Sequence, residues 1–192
     1  MAPTIRVGPR PGDLGRVLEM HGRLYADEFG YDEEFEAHVA KGLAGFADAL
    51  GKRHEDPSLP EPGWLWIAED TTDDRADVVG MIALTVEGDG VGQVRWFLVA
   101  PHARGGLGRN LMMMLLDQAR AAGLTHIKLW TVDGLDAAAR LYTSLGFRRT
   151  DEVPGHRFGQ DLVEVRYDLD LADPVSPPRA CRRAPGPPAP AR

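Results

Sequence analysis

The sequence predicts one mixed α/β (α+β) domain, in which a central sheet of six to seven strands is combined with about four helices. Runs rich in β-branched and aromatic residues recur along the 192-residue chain and are separated by Gly- and Pro-containing turns, as expected for strands. Four other stretches carry apolar residues at three-to-four spacing, which is typical of amphipathic helices. A chain of this length favours one domain with a substantial core over two domains.

The stretch from Val94 to Leu115 reads as a strand, a Gly-rich turn and a helix in immediate succession. Val94 to Val99 suit a central strand, and Pro101 ends it. Three glycines follow within four residues, and helical spacing of apolar residues begins at Leu107. A helix N-terminus presents unpaired N–H groups and the positive end of the helix dipole, so this turn is expected to bind phosphate.

Two common phosphate-binding motifs do not fit this turn. A P-loop ends in Gly-Lys-Ser or Gly-Lys-Thr, which this sequence lacks, and the dinucleotide-binding fingerprint needs a glycine where Leu111 stands. The turn therefore points to a different class of phosphate-containing ligand.

The remaining elements are predicted in chain order around this unit. The predicted strands are 4–7, 64–68, 78–86, 126–131, 147–153 and 162–171, and the predicted helices are 13–28, 32–50 and 135–145. Asp13 is the predicted N-cap of the first helix. The segment from Gly51 to Gly63 is predicted as a surface loop because it holds three prolines. The acidic turn from Glu69 to Asp77, with its Asp73-Asp74 pair, is expected to be a solvated hairpin.

The apolar face of the first helix becomes polar toward its end. Leu14 and Leu18 begin a face that His21, Tyr25 and Glu28 continue. Two interpretations remain open from the sequence: these residues lie where the helix leaves the core, or they line a pocket.

Composition limits the possible partners. The formal net charge of −7 and the pI of about 5.3 argue against nucleic-acid binding. Cys181 is the only cysteine, which excludes a disulfide framework and a thiolate metal site, and the histidines show no metal-ligand spacing, so no metal is expected. The sequence shows no signal-peptide pattern and no apolar run of about 18 residues, so a cytoplasmic protein that does not engage a membrane is expected.

The C-terminal segment differs from the rest of the chain. Residues 172–192 are rich in Pro, Ala and Arg without any apolar period, so they are predicted to be a disordered tail. The folded domain is predicted to cover residues 1–171.

Two stretches resemble the motifs of one enzyme superfamily. The turn at 104–109 resembles motif A of the GNAT N-acetyltransferases, in which Gln or Arg, two free positions, Gly, one free position and Gly or Ala wrap the pyrophosphate of acetyl-CoA. Aligned on Arg104, the loop is one residue shorter than the motif; aligned on its last two glycines, it has Ala103 in place of the Gln or Arg. The stretch 139–147, ARLYTSLGF, resembles motif B, which packs beside the cofactor thiol.

The wider resemblance covers residues 4–171. It is closest to the acetyltransferase half of proteins that fuse a MarR-type winged helix to a GNAT domain, and the sequence carries no winged helix. Leu135 stands where many members of the superfamily place an Asn.

This resemblance implies acetyl-CoA as cofactor and assigns roles to particular residues. Tyr142 is the expected acid, which protonates or hydrogen-bonds the leaving thiolate, and Glu28 is the first candidate for the general base. His21, Glu36 or ordered water are the alternative proton acceptors. The implied cofactor-binding residues are Phe97, Leu98, Val99, Arg104, Gly105, Gly106, Leu107, Gly108 and Arg109. The implied substrate-binding residues are His21, Tyr25, Tyr31 and Glu36.

The function implied by the resemblance is N-acetylation of a primary amine of a small molecule or peptide, by direct attack in a ternary complex. The alternative is a non-catalytic acyl-CoA-binding or regulatory interaction module. A homodimer is plausible because edge strands are expected after Phe147.

Overall fold

The structure is a computed structural model, and it describes residues 3–71 and 77–171. Asp73, Asp74 and the tail at 172–192 lie outside the described residues, so the sequence predictions made for them stay predictions.

One sheet of seven strands forms the centre of the described chain. The strands are β1 (Thr4–Gly8), β2 (Gly63–Asp70), β3 (Asp77–Gly88), β4 (Val91–Val99), β5 (His126–Val132), β6 (Arg148–Arg157) and β7 (Gln160–Asp170). The helices are α1 (Asp13–Phe29), α2 (Glu33–Glu55), α3 (Leu107–Ala121) and α4 (Asp136–Ser144), with a single 3-10 turn at Pro101–Ala103. The strand order is β1-β2-β3-β4-β5-β7-β6. Only β4 and β5 pair in parallel, which confirms the predicted mixed sheet.

Each face of the sheet has its own hydrophobic core. On one face α3 and α4 pack on the sheet through residues such as Leu111, Leu115 and Tyr142. On the other face α1 and α2 pack through Val17 and Leu43, together with the inward residues of β2 and β3. Because the helices of the second face sit over β1–β4, they leave room for a cavity where that face meets β5 and β7.

Two local predictions were wrong. The loop predicted from Gly51 begins later, because α2 continues to Glu55; Lys52, Arg53 and His54 lie in its last turn, where positive charge is favourable to the helix dipole. The N-cap of α1 is Gly12 rather than Asp13.

Asp13 is the first helical residue, and its buried carboxylate binds two arginines of the preceding segment instead of capping the helix. It accepts the N–H of Arg10 at 2.6 Å and two hydrogen bonds from the Arg6 guanidinium at 2.7 and 2.8 Å. Arg6 also donates to Glu69 on β2 at 2.7 Å, so one arginine ties the start of α1 to two strands. The Arg6 hydrogen bonds hold the pKa of Asp13 below its ordinary value.

Candidate active site

Strand β4 carries a bulge at Trp96 and Phe97. Its register with β3 skips there, so that both residues oppose Ile82, and Trp96 has a left-handed φ of 45°. The extra residue breaks the alternation of sides along the strand. Arg95 and Trp96 therefore both lie on the α2 side, whereas Phe97 packs against the core beneath α3.

Strands β4 and β5 separate after a short paired segment. Their parallel pairing joins Val91–Gln93 to His126–Lys128 and ends before the bulge. Beyond it, the β4 edge that faces β5 has no strand partner within the described residues, so its backbone groups are available to a ligand. The predicted cofactor-binding residues in this opening are Phe97, Leu98 and Val99.

The N-terminus of α3 has no side-chain cap and is open. Gly106 is its N-cap with φ of 99°, a conformation that glycine adopts without strain, and no side chain caps the helix. Asn110 makes the first helical hydrogen bond, to the Gly106 carbonyl. The N–H groups of residues 105–109 donate to no acceptor within the described part of the chain. A Cβ at Gly105 or Gly106 would meet nothing within 4 Å, so this surface is free for a phosphate.

Leu107 and Gly108 also contribute to the packing of α3 against the sheet and α4. The Leu107 side chain is buried in the core, so only its backbone can contact a ligand. A Cβ at Gly108 would lie 3.2 Å from Cζ of Phe97 and 3.8 Å from Leu141, so glycine lets α3 approach β4 and α4 closely.

The two predicted phosphate-binding arginines have protein partners in the structure. Arg104 Nη2 donates to both carboxylate oxygens of Glu28, at 2.9 and 3.0 Å. Arg109 Nη1 donates to Oγ of Ser144, at the end of α4, at 3.0 Å. The first contact joins the turn before α3 to α1, and the second joins the first turn of α3 to α4.

A cavity of about 410 Å³ lies between α1, α2 and the separated strands. Five of the predicted site residues line it: His21, Tyr25, Tyr31, Phe97 and Tyr142. Glu28 and Glu36 are not among the lining residues. The Glu36 carboxylate instead lies against α1, where a Cβ at Gly22 would be 2.8 Å from Oε2.

Tyr142 stands on α4 between the two ligand regions. It is buried, and its ring packs at 6.4 Å from Phe97, 6.1 Å from Phe147 and 5.5 Å from Tyr167. Its hydroxyl pairs with no group of the described residues and is not sealed in the core, so it is open to the cavity. Burial raises the pKa of Tyr142, which keeps the phenol protonated.

His21 is held in one neutral tautomer. Its Nδ1 donates to the Val17 carbonyl at 2.8 Å, which leaves Nε2 as an acceptor. Burial lowers the pKa of His21 to about 4. Its ring is parallel to that of Tyr25 at 6.1 Å, and burial raises the pKa of Tyr25 to about 12.

The tip of the β6–β7 hairpin closes the cavity, which sequence analysis missed. Phe158 has a φ of 57°, and its ring centre lies 5.2 Å from that of Tyr31 and, in an edge-on contact, 5.0 Å from that of Phe35. Its N–H donates to Glu34 and its carbonyl accepts the N–H of Asp32, so the tip is fastened to the start of α2. A positive φ and a contact across more than 120 residues leave no signal in a linear pattern.

Charged residues occupy the α2 side of the cavity, and they too were missed. Arg157 donates to Glu164 at 2.9 Å, and its other terminal nitrogen lies 3.4 Å from Nδ1 of His38. Desolvation, with the charges of Arg157 and Arg95, lowers the pKa of His38. The period-two pattern of the last strand predicts that Glu164 and Arg166 share one face of the sheet. It does not predict that this face lies opposite α2.

Among the described residues, no group of three or more His, Cys, Asp or Glu side chains is arranged to hold a metal ion. No helix in the described ranges is both long and apolar enough to cross a membrane.

The structure thus combines an uncapped helix N-terminus at Gly106, a parallel strand pair that separates, and the buried Tyr142 on α4. The sequence profile of the Acetyltransferase (GNAT) family matches residues 23–147. The chain belongs to this GNAT family. Members of this family are acetyltransferases whose cofactor is acetyl-CoA. The unpaired N–H groups and open space at residues 105–109 fit the pyrophosphate of that cofactor.

Curated relatives of the GNAT chain are acetyltransferases with different named activities. An IAA acetyltransferase from Azospirillum brasilense is 44% identical over 95 residues, which cover 48% of this chain and 59% of the relative. A mycothiol acetyltransferase from Thermomonospora curvata is 33% identical over 147 residues, which cover 76% of this chain and 44% of the relative. The chain therefore spans about half the length of these relatives.

Solved structures share the GNAT fold at low sequence identity. An N-acetyltransferase from Staphylococcus aureus Mu50 superposes with a TM-score of 0.68 at 16% identity, covering 89% of this chain and 99% of the other. YncA from Salmonella typhimurium, solved with its cofactor acetyl-CoA, superposes with a TM-score of 0.65 at 23% identity, covering 94% of this chain and 100% of the other.

Proposed function

We propose that this protein transfers the acetyl group of acetyl-CoA to a primary amine of a small molecule or peptide, by direct attack in a ternary complex. The observation that carries the proposal is the cavity of about 410 Å³, which reaches from the α2 side to Phe97 and Tyr142 beside the strand opening. A non-catalytic acyl-CoA-binding module needs a site for the phosphates of the cofactor. It does not need a second cavity that could hold an acceptor beside the cofactor.

The backbone of the strand opening positions the reacting groups. Bound acetyl-CoA supplies the thioester that the amine attacks. Backbone groups on the open β4 edge within residues 97–99 align the pantetheine arm, and an N–H there stabilises negative charge on the carbonyl oxygen as the amine adds. The N–H groups of residues 105–109 hold the pyrophosphate.

Tyr142 serves the leaving thiolate as a hydrogen-bond donor. An unperturbed thiol has a pKa of about 8.5 and an unperturbed phenol about 10. Because burial raises the pKa of Tyr142 further, full proton transfer to the thiolate is unfavourable, while donation of a hydrogen bond is not. The hydroxyl thus lowers the barrier by stabilising developing charge on sulfur.

His21 is the proton acceptor that this geometry favours. It lines the cavity and offers an unprotonated Nε2, whereas Glu28 is bound to Arg104 and lies outside the lining. The attacking nitrogen becomes far more acidic as its bond to carbon forms, so even an acceptor with a pKa of about 4 can take its proton at that stage. Glu28, Glu36 and ordered water remain the competing proposals.

The acceptor class, the MarR-fusion kinship, the cytoplasmic location and a homodimer through the edge strand β6 also stay proposals. Relatives named for the acetylation of L-methionine sulfoximine and of ribosomal-protein alanine support both small-molecule and peptide acceptors.

An acceptor screen tests the proposed function. Purified protein is incubated with acetyl-CoA and a broad panel of primary amines, and products are detected by a mass gain of one acetyl group. Transfer to at least one amine with saturation kinetics is expected. Tight binding of acetyl-CoA without transfer or slow hydrolysis would favour the non-catalytic module instead.

A further inference from the structure

Arg95 lies directly before the β4 bulge, on the α2 side of the sheet. Arg95 lines the cavity and lies along α2, where a Cβ at Gly42 would be 2.7 Å from its Nη2. Its guanidinium carbon is 5.3 Å from the centre of the Trp96 ring. The side chain is therefore packed between a helix and an aromatic ring rather than extended into solvent.

Arg95 has no carboxylate partner within the described residues. The other cavity arginine, Arg157, is bound to Glu164. Glu87, the acidic group whose charge acts on Arg95, is bound to Lys128 at 2.6 Å. Desolvation lowers the pKa of Arg95, because its partly buried charge has lost water without gaining a counter-ion.

The charge balance of the cavity is consequently positive. Its lining holds Arg95 and Arg157 against one carboxylate, Glu164, and His38 is disfavoured from carrying a further charge by desolvation and by the two arginines. A polycationic acceptor would be repelled by Arg95. An acceptor with a carboxylate would give the guanidinium the bidentate partner that its planar geometry suits.

We infer that the acceptor is an amino carboxylate, of which α-amino acids are the simplest case, and that Arg95 binds its carboxylate. The inference rests on the proposed acetyl transfer and names its acceptor class. Arg95 stands two residues before Phe97 on the same strand, so the bound carboxylate lies close to the strand opening where the amine must react. Tyr25, Tyr31 and Phe158 offer an aromatic wall to the remainder of the molecule.

Matched pairs of amines test this inference. Each amino acid of the panel is compared with its amide and its decarboxylated amine, which keep the nucleophile and lose the negative charge. A charge-assisted hydrogen bond should make kcat/KM for the carboxylate about 10- to 100-fold higher. Equal or better acetylation of the uncharged member by the wild-type protein would overturn the inference.

Variants of Arg95 assign the preference to one residue. Arg95→Met should remove the preference and leave the KM for acetyl-CoA unchanged, and Arg95→Lys should retain part of it. A ratio in Arg95→Met equal to that of the wild type would overturn the assignment, provided that the melting temperature shows a folded protein.

A substitution in α2 tests the position of the Arg95 side chain independently. Gly42→Ala puts a methyl group where the Arg95 guanidinium lies and should reduce the carboxylate preference. Gly45→Ala is the matched control on the same helix, because a Cβ there meets nothing within 4 Å. An unchanged preference in both variants would count against the position assigned to Arg95.

Product binding separates this inference from the proposed function. If no amine is acetylated, the proposed function fails, and calorimetry with N-acetyl amino acids and their amides still decides the inference. Tighter binding of the carboxylate that is lost in Arg95→Met supports it, and equal binding of the two overturns it.

Discussion

Glu28 and Arg104 form one ion pair that joins the end of α1 to the turn before α3. Arg104 Nη2 contacts both carboxylate oxygens, at 2.9 and 3.0 Å, and the two side chains are 29% and 52% exposed. The sequence predicts a base role for Glu28 and a phosphate role for Arg104. Their contact joins α1 to the Gly-rich turn, and the exposure of the pair limits its contribution to stability.

Glu28→Gln separates a positioning role from a base role. We expect kcat to change less than about threefold and the KM for acetyl-CoA to shift within about fivefold, because an exposed pair is worth about 1 kcal/mol or less. Steady-state kinetics against both substrates gives the measurement. A fall in kcat of about 100-fold or more with the acetyl-CoA KM unchanged would instead identify Glu28 as the base.

Tyr142→Phe removes the hydroxyl that faces the cavity. We expect kcat to fall about 100-fold with little change in cofactor affinity, because the lost hydrogen bond acts on charge that develops late. Tyr167→Phe is the matched control, since Tyr167 packs on Tyr142 but does not line the cavity. Equal rates in the two variants would remove Tyr142 from the mechanism.

Gly108→Ala tests the close approach of α3 to β4. Its methyl group would lie 3.2 Å from Cζ of the Phe97 ring, so the ring or the helix N-terminus has to give by a few tenths of an ångström. We expect a lower melting temperature and a higher acetyl-CoA KM. Gly105→Ala, where a Cβ meets no atom within 4 Å, should leave the melting temperature unchanged. Equal melting temperatures for both variants would contradict a packing requirement at Gly108.

The depressed pKa of His21 predicts a loss of stability in mild acid. The unfolded chain binds a proton near pH 6.5 and the folded chain only near pH 4, so the free energy of unfolding falls as the pH drops through this window. Between pH 7 and pH 5 the loss should be about 2 kcal/mol. Urea denaturation of His21→Phe should show this component removed.

The exposed His102 provides the control for this pH dependence. His102→Gln should retain the acid-induced loss seen in the wild type. If His21→Phe retains it equally, the buried imidazole is not its source.

The fold could be predicted because its signals are local. The β4–α3–β5 unit follows from strand composition, a Gly-rich turn and helical spacing, and these patterns depend only on near neighbours. The end of α2 was misplaced because Gly51 and the nearby prolines suggest a loop, while the basic last turn extends the helix to Glu55.

The site was only partly predictable, for a different reason. Of the polar residues that continue the apolar face of α1, His21 and Tyr25 line the cavity, and Glu28 lies beyond it. Arg95 and Phe158 also line the cavity. A bulge puts Trp96 on the same face as Arg95, against the regular alternation, and a hairpin tip distant in sequence brings in Phe158.

The β4 bulge puts two consecutive side chains, Arg95 and Trp96, on the same face of the sheet. In the proposed site the Arg95 side chain faces the acceptor and the backbone from Phe97 onward faces the cofactor, so acceptor choice can be re-engineered at Arg95 without changing the groups proposed to meet the cofactor. Deleting Trp96 would restore strict alternation from Arg95 to Phe97 and leave the following side chains on the faces they already occupy. One residue of extra strand length thus gives the α2 face two adjacent side chains where regular alternation would give one.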